Sequence, residues 1–174
     1  YEGADAVMLS AETASGSFPV EAVDIMRRII ISTETAADYR EDMMRNYDKI
    51  QHEVSDAIVN AAIQTAGIVK AKCIASFSQT GSTTMRASRL RPSCPLLGLT
   101  PRIGTARMAS LFWGVRSIKA PDLNDPNDMA NIVTSIAKRY GFAQDGDFVI
   151  ATAGIPLGKP GRTNVMRVAV VGEE

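Results

Sequence analysis

From about residue 73 onward the chain alternates short apolar runs with amphipathic stretches, and no other feature narrows its fold as much. Residues 73–78, 95–100, 115–120, 147–153 and 164–171 read as strands, with helical patterns at 80–91, 100–109 and 125–140 between the first four. Strands separated by single helices require right-handed crossovers and a parallel sheet covered on both faces. The last two strands are joined only by the Gly/Pro-rich loop of residues 154–163. That loop is too short for a helical return, so the final strand should run antiparallel to its neighbour. The expected class is α/β, a three-layer αβα arrangement around a mostly parallel five-stranded sheet with an antiparallel last strand.

Helix signals sharpen this pattern. Asp48 and Gln51 form a D-x-x-Q capping pair ahead of Val54, Ala57, Ile58, Ala61, Ala62, Thr65 and Ile68, an amphipathic helix with small residues on its face. Thr100-Pro101 and Asp125-Pro126 read as caps followed by first-turn prolines. Met129, Ile132, Val133, Ile136, Ala137 and Tyr140 form a stripe that stops at Gly141.

The earlier part differs. Residues 6–10 read as a short apolar strand with no preceding partner, which suggests a piece of something longer. Pro19 then opens a helix to about residue 37, where Val20, Val23, Ile25, Met26, Ile29, Ile30 and Ile31 spread beyond one stripe. Such a helix needs cover on more than one side. Left without it, the chain is expected to self-associate there. Residues 38–47 show no clean period and read as a connector.

Charge and composition exclude several functions. Nineteen basic and nineteen acidic residues cancel, so bulk charge attracts neither nucleic acid nor anionic lipid. No apolar run approaches the roughly 20 residues that span a bilayer, and the first residues lack a signal pattern, so a cytoplasmic location is expected. Cys73 and Cys94 form no CxxC and have only His52 to join them, so both read as buried thiols and no metal site is expected. No Ser-His-Asp set or catalytic Cys-His pair is present, and His52 reads as a surface residue. Arg86, Arg89, Arg91, Arg102 and Arg107 have no interleaved aromatics and read as a solvated helix face rather than a nucleic-acid surface. Trp113 reads as a core residue.

Two segments carry chemistry. Phe77-Ser78-Gln79-Thr80-Gly81-Ser82-Thr83-Thr84 passes from a strand end into a helix start through one glycine and five hydroxyl side chains. In a parallel sheet such a turn collects backbone N–H groups and the positive end of a helix dipole, a setting for phosphate. The same hydroxyls also read as helix caps, and the pattern is neither a P-loop nor G-x-G-x-x-G. The 154–163 loop brings Lys159 and Arg162 to the same carboxyl edge of the sheet, either as a cationic lid over an anion or as a solvated turn.

The residues also match a family. The run EGADAVMLSAETASG at residues 2–16, followed by PVEAV at 19–23, resembles the last barrel strand and helix of pyruvate kinases. Ser78, Gln79, Thr80, Gly81, Ser82 and Thr83 resemble the family's effector phosphate loop, Trp113-Gly114-Val115 its third-strand entry, and Thr163-Asn164-Val165-Met166-Arg167-Val168 its terminal strand. The resemblance implies that residues 1–39 are a remnant of the (β/α)8 catalytic barrel and residues 40–174 the C-terminal regulatory and oligomerisation domain. It implies a parent that transfers phosphate from phosphoenolpyruvate to ADP in glycolysis with Mg2+ and K+, as a homotetramer in which this domain meets its copy on a neighbouring subunit. The family's catalytic lysine and metal carboxylates belong to segments before Tyr1. The chain alone is therefore expected to be catalytically silent, with Ser10, Glu12 and Thr13 at the active-site rim of the parent.

Two departures bear on regulation. Members activated by fructose 1,6-bisphosphate commonly carry a basic residue where Gln79 stands and a Trp and Arg segment where this chain has the acidic stretch of residues 120–128. A second phosphate would meet Asp122 and Asp125, and like charge disfavours it. The resemblance therefore implies a phosphorylated small-molecule effector with one phosphate, or none. The alternatives are a free-standing α/β sensor of a phosphosugar or nucleotide, and an interaction module without a small ligand.

Overall fold

The computed structural model describes residues 2–36, 38–39, 43, 53–157 and 162–173. The chain divides into two compact units, Tyr1–Lys49 and Ile50–Glu174. The Asp48/Gln51 pair, His52, Lys159 and most of the expected connector lie outside the described residues.

In the first unit, residues 6–10 form no strand. A strand needs a ladder partner for its backbone groups, and none pairs with it among the described residues. Two helices follow, α1 (Ala11–Ala14) and α2 (Pro19–Thr35), the latter with proline in its first turn as expected. Phe18, Val20, Val23, Ile25, Ile29 and Ile31 are exposed, Val20 at 75%.

The second unit begins with α3 (Val54–Val69) and continues as β1 (Cys73–Phe77), α4 (Ser82–Arg89), β2 (Leu96–Thr100), α5 (Ile103–Ala109), β3 (Val115–Lys119), a 3-10 turn (Pro126–Asp128), α6 (Met129–Arg139), β4 (Phe148–Ala153) and β5 (Val165–Val170). The sheet order is β3-β2-β1-β4-β5. The first four strands are parallel, and β5 is antiparallel to β4. This is the expected three-layer mixed sheet.

Two local signals resolve differently. Thr100 ends β2 instead of capping a helix; its hydroxyl accepts the Arg102 N–H at 3.3 Å, and α5 starts at Ile103. A ladder bond to β3 holds Thr100 in the sheet, because the Ala120 N–H donates to its carbonyl. Asp125 does cap, accepting the Asn127 N–H at 2.8 Å, but it opens the 3-10 turn before α6.

Strand parity builds the core. Ile74, Leu96 and Ile150 face the α3 and α4 side, where they pack with Val59, Ala62, Ile63, Ala66 and Ala87. Their neighbours Cys73, Ala75, Leu97, Val149 and Ala151 face the other side with Met129, Val133 and Ala137 of α6. Side chains of successive strand residues point to opposite faces, so strands covered on both sides read as continuous apolar runs.

The topology also creates a place for a ligand. The chain leaves β1 toward β2 on one side, and returns after β3 to β4 on the other. The chain therefore leaves the adjacent carboxyl ends of β1 and β4 in opposite directions, a switch point where open α/β sheets leave a crevice.

Candidate functional site

A cleft of about 60 Å³ occupies that crevice, lined from β1 and the following turn by Ser78, Gln79, Thr80, Ser82 and Thr83, and from the β4 side by Gly154 and Arg162, with Asp122 and Thr163. That exceeds the roughly 10–15 Å³ that one ordered water needs, so a small polar group can enter.

The turn is held by its own hydrogen bonds. Gly81 sits at the N-cap of α4 with φ +82, a conformation that L side chains rarely adopt, and a Cβ there would lie 3.2 Å from Met108 Cε. Its N–H donates to Ser78 Oγ at 2.9 Å, and Thr105 Oγ1 donates to the Gln79 carbonyl at 2.9 Å. A glycine cap offers no side-chain acceptor, so the first-turn N–H groups of α4 are left for ligand or solvent. Thr80 Oγ1 donates to Ser82 Oγ at 3.2 Å, which leaves the Ser82 hydroxyl free to donate in turn.

The cleft floor is set by residues far apart in sequence. Thr83 and Thr163, both buried, share a hydroxyl hydrogen bond of 2.5 Å, and the Thr163 N–H donates to the buried Ser55 Oγ at 3.1 Å. Next to Ser55, Asp56 Oδ2 lies 2.6 Å from Arg86 Nη1, and Glu53 Oε2 lies 2.7 Å from Arg86 Nη2. Hydrogen bonding to Asp56 is the main influence raising the Arg86 pKa above its ordinary value. Opposite, Gly154 presses its backbone against the Arg162 carbonyl, and a Cβ there would come within 2.1 Å of that oxygen. Asn164 closes the loop base through bonds to the Ile155 N–H and carbonyl, at 2.8 and 2.6 Å.

The structure thus brings Ser78, Gln79, Thr80, Ser82, Thr83 and Arg162 to one cleft, with Gly81 setting the turn; Lys159 lies outside the described residues. Three contributors carry no site signal in the sequence, although Thr163 begins the run that resembles the terminal strand. Ser55, Thr105 and Thr163 act through long-range bonds that leave no local periodicity. The arginines are also more engaged than a solvated face implies: Arg86 is ion-paired, Arg91 stacks 4.9 Å from the Trp113 ring, and Arg102 Nη2 donates to Gln79 Oε1 at 3.4 Å. Trp113 is half-buried under Arg91 rather than in the core.

In the first unit, Ser10, at the start of α1, donates its N–H to Glu12 Oε2 at 2.9 Å, and Thr13 Oγ1 donates to the Ser10 carbonyl at 3.2 Å. The N–H groups of Glu12 and Ser10 hold the Glu12 carboxyl below its ordinary pKa. Of the two thiols, Cys73 is fully buried and Cys94 only partly. Burial pushes them up to about 12 and about 11, so both stay protonated and unreactive near neutrality. Among the described residues no three His, Cys, Asp or Glu side chains gather to hold a metal, and no helix is long and apolar enough to cross a membrane.

Fold and cleft together define an αβα domain with a hydroxyl-lined crevice at the switch point of a mixed sheet. Residues 56–169 match the family described as pyruvate kinase, alpha/beta domain. The chain is 44% identical to the pyruvate kinase of Methylorubrum extorquens over all 174 residues, which is 36% of that protein's length. It is 41% identical to that of Agrobacterium vitis over 99% of this chain and 36% of the relative. A crystal structure of a pyruvate kinase from Cryptosporidium parvum superposes with a TM-score of 0.82 at 29% identity, covering 95% of this chain and 33% of that one. The chain belongs to the pyruvate kinase family and carries its C-terminal α/β domain. It spans about a third of the length of the curated relatives it matches.

Proposed function

We propose that the chain is the allosteric and subunit-contact part of a pyruvate kinase. Residues 1–39 are the last strand and helix of the catalytic barrel, and residues 40–174 the regulatory domain. The parent enzyme transfers phosphate from phosphoenolpyruvate to ADP in cytoplasmic glycolysis, with Ser10, Glu12 and Thr13 at its active-site rim. Mg2+ and K+ serve that reaction in the parent, and the chain alone is catalytically silent.

One observation carries the regulatory reading: the hydroxyl-lined cleft at the switch point, with the Arg162 cation at its rim. It suits a single phosphate of a small metabolite, held by hydroxyls, first-turn N–H groups and one guanidinium. An effector there biases the oligomer between states of different substrate affinity. Thermal unfolding in the presence of glucose 6-phosphate, ribose 5-phosphate, AMP and fructose 1,6-bisphosphate tests this. At a hundred times its Kd a bound monophosphate adds about 2.7 kcal/mol, a rise in Tm of roughly 5–10 °C. No shift with any of the four refutes the reading. A free-standing sensor fits less well, because the likeness to pyruvate kinases runs the full length of the chain.

The exposed apolar residues of α2 motivate a second expectation. The isolated chain should self-associate through that helix, and light scattering that shows only monomer at high protein concentration would rule this out.

A further inference from the structure

Two walls enclose the cleft, and both are tied to the first turn of α3. One wall is the hydroxyl turn that opens α4. Just past that turn, Arg86 of α4 ion-pairs with Glu53, the N-cap residue of α3, at 2.7 Å and with Asp56 at 2.6 Å. The other wall is the return into β5, where the Thr163 N–H donates to Ser55 Oγ at 3.1 Å. Ser55 stands between the two carboxylates in the sequence, so the short run 53–56 grips both sides of the site.

These groups do not line the cleft, so they act on a ligand only through its walls. Ser55 and Asp56 are buried, and the Arg86 side chain is only 20% exposed. Breaking a buried ion pair strands a charge, and removing the Ser55 hydroxyl takes the acceptor from a buried N–H. Both ties are therefore stiff. Glu53 is more exposed than Asp56, so its leg of the pair is the weaker one. A site made of fixed donors loses affinity once they drift by more than about 0.5 Å, and here the drift of either wall is limited by the same helical turn.

We infer that Ser55 and the ion pairs of Arg86 with Glu53 and Asp56 are positioning residues: the first turn of α3 sets the spacing of the cleft walls and, through it, the affinity of a site it does not touch. This rests on the assignment of the cleft to a phosphate. The test is calorimetric titration of the 174-residue chain with glucose 6-phosphate, ribose 5-phosphate, AMP and fructose 1,6-bisphosphate, then of its variants with the tightest of the four. Ser55→Ala and Arg86→Gln should each weaken binding about tenfold, and the double variant little further, because releasing either wall already frees the spacing. Glu53→Arg, on the exposed leg, should weaken binding about threefold while melting within about 2 °C of the parent chain. Ile63→Ala, on the same helix but in the core, should lower the melting temperature at least as much as Ser55→Ala and leave affinity within twofold. Affinity unchanged within twofold in Ser55→Ala and Arg86→Gln, or in Glu53→Arg, overturns the inference and leaves the phosphate cleft intact. So do losses that multiply in the double variant, or an equal loss in Ile63→Ala. Absence of binding of all four compounds to the unaltered chain overturns the cleft assignment itself, and the inference with it.

Discussion

Changing Thr80 and Ser82 together to alanine should weaken binding of a phosphomonoester about a hundredfold and barely move the melting temperature of the ligand-free chain. Both hydroxyls line the cleft and hydrogen-bond to each other; Thr80 is exposed and Ser82 half-buried. Neither is tied to the core in the way Thr83 is tied to Thr163. A hydrogen bond to a charged group contributes about 1.5–3 kcal/mol, and two lost donors at the low end amount to about 3 kcal/mol, roughly a hundredfold in Kd. Isothermal titration with glucose 6-phosphate measures it. A loss smaller than threefold would mean that the phosphate reading of the turn is wrong.

The largest stability loss is expected from Ile150→Ala. Ile150 is completely buried on β4, in register with Ile74 of β1 and Val168 of β5, and packs in one cluster with Val59, Ala62, Ile63, Ala66 and Leu96. Large-to-alanine changes in cores cost about 2–5 kcal/mol, depending on how far the surroundings collapse into the hole. Here α3 presents two alanines to the site, and small side chains cannot reach into a vacated space. The cost should therefore fall near about 4 kcal/mol, a large share of a typical domain stability of about 5–15 kcal/mol. Urea unfolding followed by circular dichroism should report it. Ile68→Ala on α3 provides the contrast: the same side chain, 81% exposed, should cost less than about 0.5 kcal/mol. If Ile150→Ala loses under 1 kcal/mol, the packing described for this face is incorrect.

Much of the second unit was readable residue by residue. The apolar runs at β1, β2 and β4, the helical stripe of α6 and the short return before β5 each carry a local signal, and together they define a mixed sheet with helices on both faces. The hydroxyl turn after β1 was equally visible, because a glycine among five hydroxyls is a local composition. Where local signals competed, tertiary bonding decided: Thr100 stayed in the sheet although Thr-Pro resembles a helix start, since the ladder to β3 outweighs a cap. The segment 6–10 has strand composition, yet composition cannot supply a hydrogen-bonding neighbour.

Periodicity, caps and turn chemistry act over a few residues, so the amino-acid order alone determined which segments become strands or helices and which turn could receive an anion. The walls of the cleft were decided only by the folded chain. Gln79 meets Asp122 across 43 residues, Thr83 meets Thr163 across 80, and Thr163 meets Ser55 across 108. Such pairs depend on strand order and crossover direction, which bring the ends of β1 and β4 together, and a hydrogen bond between distant residues imposes no pattern on the sequence separating them.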